Sequence, residues 1–104
     1  MLFGLPDTAV QKLKQVFEGD SRIVQVWLYG SRATGKQKPA SDIDLCIEGL
    51  SLQLGDLHAF ENKIDELLLP WKVDLSLKHQ IDNPALLNHI QNVGIGFLSN
   101  QENC

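Results

Sequence analysis

The sequence predicts an α/β (α+β) protein built on a small mixed β-sheet with helices on one face, and three observations carry that expectation. Segments of helical spacing alternate with segments of period-two or β-branched character, in the order helix, strand, loop, strand, helix, strand, helix. Two of the strands flank the longest helix, which suggests a mixed sheet. Within those strands the acids alternate with the aliphatics, so one sheet face is apolar and the other carries carboxylates.

Val10, Leu13 and Phe17 recur at helical spacing between about Asp7 and Glu18, and Gly19 is a natural stop. The run Ile23-Val24-Gln25-Val26-Trp27-Leu28-Tyr29 is β-branched and aromatic and reads as a largely buried strand ended by Gly30-Ser31. Residues 32–41 hold Gly35, Lys36, Lys38 and Pro39 and read as a loop whose start can form a short helical turn. Ile43, Leu45 and Ile47 then alternate with Asp42, Asp44 and Cys46, which is a strand with one apolar face.

A longer helix is expected from roughly Leu52 to Leu69, with Leu57, Phe60, Ile64, Leu67 and Leu68 on its apolar side and Pro70 closing it. Trp71-Lys72-Val73-Asp74-Leu75-Ser76-Leu77 is a third alternating strand. Asn83 caps the last helix and Pro84 opens it; Leu86, Leu87, Ile90 and Val93 form its buried stripe, and Gly94 ends it. The tail after Phe97 is polar.

At 104 residues the chain fits a single domain spanning 1–104. Its 43% apolar and 21% charged content is that of a soluble globular protein. A net charge of −4 argues against a protein that wraps long nucleic acid, yet suits a small phosphate ligand escorted by a cation. Cys46 and Cys104 suggest no disulfide framework, and neither a signal peptide nor a membrane span is evident. A cytoplasmic protein is therefore expected.

Asp42 and Asp44, two apart on a strand, point to the same face with α-carbons about 6.5–7 Å apart. Such a pair can share a divalent cation or hold two ions roughly 3.5–4 Å apart. Asp74 repeats the pattern, lying opposite Val73, Leu75 and Leu77. If the two strands are neighbours, three carboxylates meet on one sheet face, and their mutual repulsion calls for a cation. The Gly30-Ser31 turn supplies the other half. Its backbone N–H groups and the Ser31 hydroxyl suit phosphate oxygens, Gly30 lets a ligand approach closely, and Arg32 or Lys36 can add positive charge. Mg²⁺ usually binds through one or two carboxylates plus substrate phosphates, which is what this combination offers.

Taken singly, each piece has a plainer explanation: a Gly-Ser turn is common, an Asp-x-Asp pair is usually a solvated face, and Asp74 alone is an exposed strand residue. Their order and phase set them apart. His58, His79 and His89 are not spaced as a metal cluster, and His58 and His89 read as surface or helix-edge residues. Trp27 and Cys46 read as core, Trp71 as core or contact surface, and Lys36 and Lys38 as solvated loop residues.

Gly30-Ser31-Arg32-Ala33-Thr34-Gly35 followed by Ser41-Asp42-Ile43-Asp44-Leu45 resembles the minimal nucleotidyltransferases (MNT) of the polymerase-β-like superfamily. That pattern is Gly-Ser, a spacer of about ten residues, Asp-hydrophobic-Asp-hydrophobic and a later strand Asp, and all its positions are filled here. The resemblance covers nearly the whole chain and implies the polymerase-β-like nucleotidyltransferase fold. It also implies metal ligation by Asp42 and Asp44, with Asp74 as third carboxylate, either ligating metal or drawing the proton from the acceptor. Gly30, Ser31 and Arg32 would bind the nucleotide.

The implied reaction is Mg²⁺-dependent, with a pair of ions, and moves NMP, AMP from ATP in the first instance, to an acceptor with release of pyrophosphate. The resemblance further implies a separately encoded helical-bundle partner of the HEPN type or a related substrate-binding subunit, in a toxin–antitoxin setting and a homo- or hetero-oligomer. Two other readings compete: an antitoxin that neutralises a HEPN-type ribonuclease by contact alone, and a small α/β domain with a structural Mg²⁺ or Ca²⁺. Three acids in phase favour the enzyme.

Overall fold

The computed structural model describes residues 2–98. Helix α1 (Asp7–Phe17) leads into β1 (Gln25–Tyr29), a single helical turn α2 (Ser31–Thr34) and β2 (Ile43–Glu48). Helix α3 (Leu54–Glu66), β3 (Val73–Leu77), a 3₁₀ turn at Lys78–Gln80, α4 (Pro84–Val93) and β4 (Ile95–Gly96) follow. The sheet order is β3-β2-β1-β4. Strands β1 and β2 pair antiparallel, as do β1 and β4, while β2 and β3 run parallel. The sheet is mixed, as expected, because α3 carries the chain back to start β3 alongside β2.

The apolar phase of each strand faces α1 and α3. Val26, Leu28, Ile43, Leu45, Ile47, Leu75 and Leu77 pack there with Val10, Leu13, Phe17, Phe60 and Ile64. The expected one-sided helix layer describes these two helices. Helix α4 lies over part of the opposite face, where Ile90, Leu86 and Val93 pack on Tyr29, Cys46 and Trp27. Aromatic β1 residues on the carboxylate face need cover, and the stripe of α4 supplies it. Asn83 caps α4 as its sequence suggested: its Oδ1 accepts the N–H groups of Ala85, at 2.9 Å, and Leu86, at 3.3 Å.

Three details differ from the sequence expectation. Helix α3 is shorter than read, because Gln53 caps it and Leu68 takes a positive φ of 55° beyond its end. Leu68 is therefore not on the apolar side; it is 87% exposed. Strand β4 carries no sequence signal, since two residues are too few for a period to show; it pairs Trp27 with Gly96 and Leu28 with Ile95. Most of the polar tail read after Phe97 lies outside the described residues; Phe97 and Leu98 themselves are buried.

Candidate active site

The parallel register sets Asp44 directly opposite Asp74, and the antiparallel register sets Tyr29 opposite Asp44. Gly30, the residue after Tyr29, consequently sits against the Asp44 side chain. A Cβ at Gly30 would run into the Asp44 carboxylate, and its φ of 75° is one that L-residues rarely adopt. Here glycine is required twice over, for conformation and for space. The Gly-Ser turn and the acid strand are in van der Waals contact at this point.

Asp42 is exposed just before β2, Asp44 is half-buried within it, and Asp74 is exposed on β3. The Asp44 carboxyl is pushed above its ordinary value, first by burial and then by the charges of Asp74 and Asp42; Lys72 acts in the opposite sense. Among the described residues, none of the three carboxylates joins an ion pair. No group of three His, Cys, Asp or Glu side chains there converges closely enough to hold a metal by itself. The donor set is all oxygen and carries excess negative charge. That suits a Mg²⁺ ion completed by substrate phosphates better than a closed protein cage.

At the turn, Ser31 opens α2, and the N–H groups of Ser31 and Arg32 have no backbone acceptor among the described residues. The Gly30 N–H does have a partner: it donates to His89 Nε2, at 3.3 Å, from α4. The His89 ring stands edge-on to Tyr29, with centroids 6.2 Å apart. By its sequence position His89 reads as a surface or helix-edge residue. No spacing signal links residues 30 and 89; only the fold of α4 across the sheet brings them together.

Arg32 is a correction to the sequence reading. Its side chain does not project from the turn as a phosphate clamp; at 2% exposure it is the one buried charged residue among those described. Nη1 donates to the Phe3 carbonyl at 2.8 Å, and Nη2 to those of Pro39, at 3.3 Å, and Ser41, at 2.8 Å. Nε also reaches Ser41, at 3.2 Å. The guanidinium lies 6.0 Å from the Trp71 ring centre, and the Trp71 indole itself donates to Pro39 O at 2.8 Å. Three backbone carbonyls, from Phe3 near the N-terminus and from Pro39 and Ser41 in the loop, match the planar fork of donors and offset the cost of burying the charge. Lys36 and Lys38 remain exposed.

A four-stranded mixed sheet with a Gly-Ser turn seated against an Asp-x-Asp strand and a third acid beside it defines the nucleotidyltransferase class. Residues 11–103 match the family "Polymerase beta, Nucleotidyltransferase". The chain belongs to that family, and it is a nucleotidyltransferase. Two similar proteins are the putative protein adenylyltransferases MJ1217 and MJ1379 of Methanocaldococcus jannaschii. The first is 32% identical over 83 residues, covering 79% of this chain and 84% of the relative; the second is 30% identical over 84 residues with the same coverage.

Among solved structures, a toxin–antitoxin crystal structure with AMP-PNP superposes with a TM-score of 0.69 at 21% identity, covering 95% of this chain and 77% of the other. The complex of a tri-AMPylated Shewanella oneidensis HEPN toxin with an MNT antitoxin gives 0.66 at 16% identity, covering 92% and 74%. At these identities the superpositions speak for the fold. No helix among the described residues is long and apolar enough to cross a membrane.

Proposed function

We propose that this chain transfers AMP from ATP to a side chain of a separately encoded protein, using Mg²⁺ and the Asp42, Asp44 and Asp74 carboxylates. The observation that carries the proposal is the contact of Gly30 with Asp44, because it joins a phosphate-type turn to an acid strand with no room for anything larger than hydrogen. The two Methanocaldococcus relatives bear the name of protein adenylyltransferases, which favours a protein acceptor. The complex of a HEPN toxin with an MNT antitoxin, of similar fold, favours a HEPN-type partner.

Ser31, through its hydroxyl and N–H, and the Arg32 N–H hold phosphate oxygens, while Gly30 lets the triphosphate approach. Asp42 and Asp44 hold the metal, with Asp74 as the third acid. A Mg²⁺ ion held by these carboxylates would supply the charge that offsets the triphosphate and the entering and leaving oxygens. The acceptor oxygen forms a bond to the α-phosphorus as the bond to the β-phosphate bridge breaks and pyrophosphate leaves. Asp74, when it is not itself a ligand, takes the proton from the acceptor. Positioning and charge stabilisation dominate such a reaction.

The test is to incubate the chain with α-labelled ATP, Mg²⁺ and a purified HEPN-type partner. The expected result is label on the partner, reduced by roughly 100-fold or more in Asp42→Asn and Asp44→Asn, the scale set by losing an electrostatic group of the site. Transfer surviving both substitutions overturns the carboxylate mechanism. Tight partner binding without any transfer, insensitive to both, identifies instead an antitoxin acting by contact.

A further inference from the structure

A histidine from the far end of the fold reaches the phosphate-type turn, and neither the motif nor the reaction scheme assigns it a role. His89 sits on α4, 59 residues beyond Gly30, and its Nε2 accepts the Gly30 N–H. We propose that His89 is a positioning residue: by accepting that N–H it holds Gly30 in its positive-φ conformation and keeps the turn seated against Asp44. The inference rests on the reading of Gly30-Ser31 as the triphosphate site.

Gly30 is where the arrangement is most easily lost. A glycine has no Cβ to restrict it, so its φ of 75° and ψ of −156° are one choice among many accessible to it. Backbone bonds of α2 fix the carbonyl end of the residue, since Gly30 O accepts from the N–H groups of Ala33, at 3.1 Å, and Thr34, at 3.2 Å. The amide end is fixed by His89. With both ends held, the peptide that leads from β1 into α2 has one orientation, and the N–H groups of Ser31 and Arg32 point one way.

The histidine is itself prepared for the task. Its ring is half-buried and braced edge-on against Tyr29, at an interplanar angle of 80°. The neighbouring Ile90 packs into the cluster of Tyr29 and Cys46 and anchors the helix there. Because Nε2 accepts, the ring proton belongs on Nδ1. The Gly30 N–H is thereby withdrawn from the nucleotide, whose donors are the Ser31 hydroxyl and the N–H groups that follow.

Three variants separate the acceptor role from ring packing: His89→Phe keeps a ring against Tyr29 and removes the acceptor, His89→Gln restores an acceptor without the ring, and His89→Ala removes both. Long-range ¹H–¹⁵N spectra of the ligand-free wild-type chain are expected to show an unprotonated Nε2 on His89. The Gly30 amide proton should move upfield in His89→Phe and His89→Ala and return in His89→Gln. Titration with ATP and Mg²⁺ should give a Kd about fivefold weaker in His89→Phe, the scale of one hydrogen bond, with recovery in His89→Gln.

A wild-type Nε2–H tautomer, or a Gly30 amide unmoved in His89→Phe, overturns the proposal. So does weakened nucleotide binding that His89→Gln fails to restore, since that marks ring packing as the cause. The spectroscopic arm needs no nucleotide, so a chain that binds no ATP defeats the triphosphate reading while the contact between His89 and the turn is still decided.

Discussion

The Arg32 guanidinium grips the Ser41 carbonyl through two nitrogens, Nη2 at 2.8 Å and Nε at 3.2 Å, and so ties the first turn of α2 to the residue before Asp42. The spacer between the Gly-Ser turn and the acid pair is therefore a folded connection of fixed span. Within it the Lys38 N–H donates to Ser41 Oγ at 2.8 Å, and the Ser41 N–H returns to Lys38 O at 3.0 Å. Sequence patterns of this kind count residues between motifs; here the count is enforced by one buried cation.

Arg32→Lys tests that clamp. A lysine keeps the charge but carries its three donors on one nitrogen, which cannot span three carbonyls in different directions, and it strands the carbonyls it cannot reach. We expect a loss of roughly 2 kcal/mol for Arg32→Lys and about 3 kcal/mol or more for Arg32→Ala, on the scale of unsatisfied buried acceptors plus lost packing. Urea unfolding measures both. Unchanged midpoints would mean that the carbonyls are satisfied by water instead.

Gly30→Ala should be more damaging to function than to folding. The new methyl group meets the Asp44 carboxylate, and the backbone must hold a positive φ. Strain of that kind costs roughly 1–3 kcal/mol, which a small domain can survive. The turn would retreat from the acid strand, and nucleotide transfer should fall by about 100-fold or more, as a displacement near 1 Å at reacting groups does. Kinetics on folded protein, verified by circular dichroism, check the separation.

How much of this was legible beforehand follows from the range over which each interaction acts. Strands β1 to β3, the cap at Asn83 and the shared face of Asp44 and Asp74 rest on local periodicity, and they emerged with little shift. Ile43 and Leu45 are fully buried behind the acids, as their alternation requires. Leu68 misled because a residue at the right helical phase can still leave the helix through a left-handed step. Arg32 misled for a different reason: its neighbours in sequence suggest an anion site, while the carbonyls that capture it belong to Phe3, Pro39 and Ser41. His89 was invisible because its partner lies 59 positions away and nothing in either segment marks the pairing.

The raised pKa of Asp44 gives a pH signature. Its carboxyl is held above the ordinary 3.8 by burial first and then by Asp74 and Asp42. The folded state thus binds the proton more tightly than the unfolded state. The stability this confers is fully present below pH 3.8 and is lost as pH rises through the folded-state value. Near neutral pH the ionised group works against the metal-free fold. Asp44→Asn should therefore be more stable than the parent in EDTA at pH 7, with the difference shrinking as pH falls toward 4. Chemical denaturation across that range is the measurement, and a variant less stable at pH 7 would contradict it.

The same repulsion should reverse its sign when the site is filled. Three acids that disfavour one another without a counter-ion become an asset once a divalent cation and a triphosphate occupy the face, because a ligand that binds only the folded state stabilises it. A free ligand at about 100 times its Kd contributes roughly 2.7 kcal/mol. For a domain of this size that corresponds to a melting-temperature rise of about 10–20 °C. Magnesium with a non-hydrolysable ATP analogue should produce such a rise in the parent chain, and EDTA should abolish it. In Asp42→Asn and Asp44→Asn the rise should be largely lost even though Asp44→Asn starts from a more stable apo form. That crossing, in which the variant melts above the parent without ligand and below it with ligand, arises only if the acid strand serves the ligand at the expense of the fold. A melting temperature that rises equally in parent and variants would detach nucleotide binding from these carboxylates.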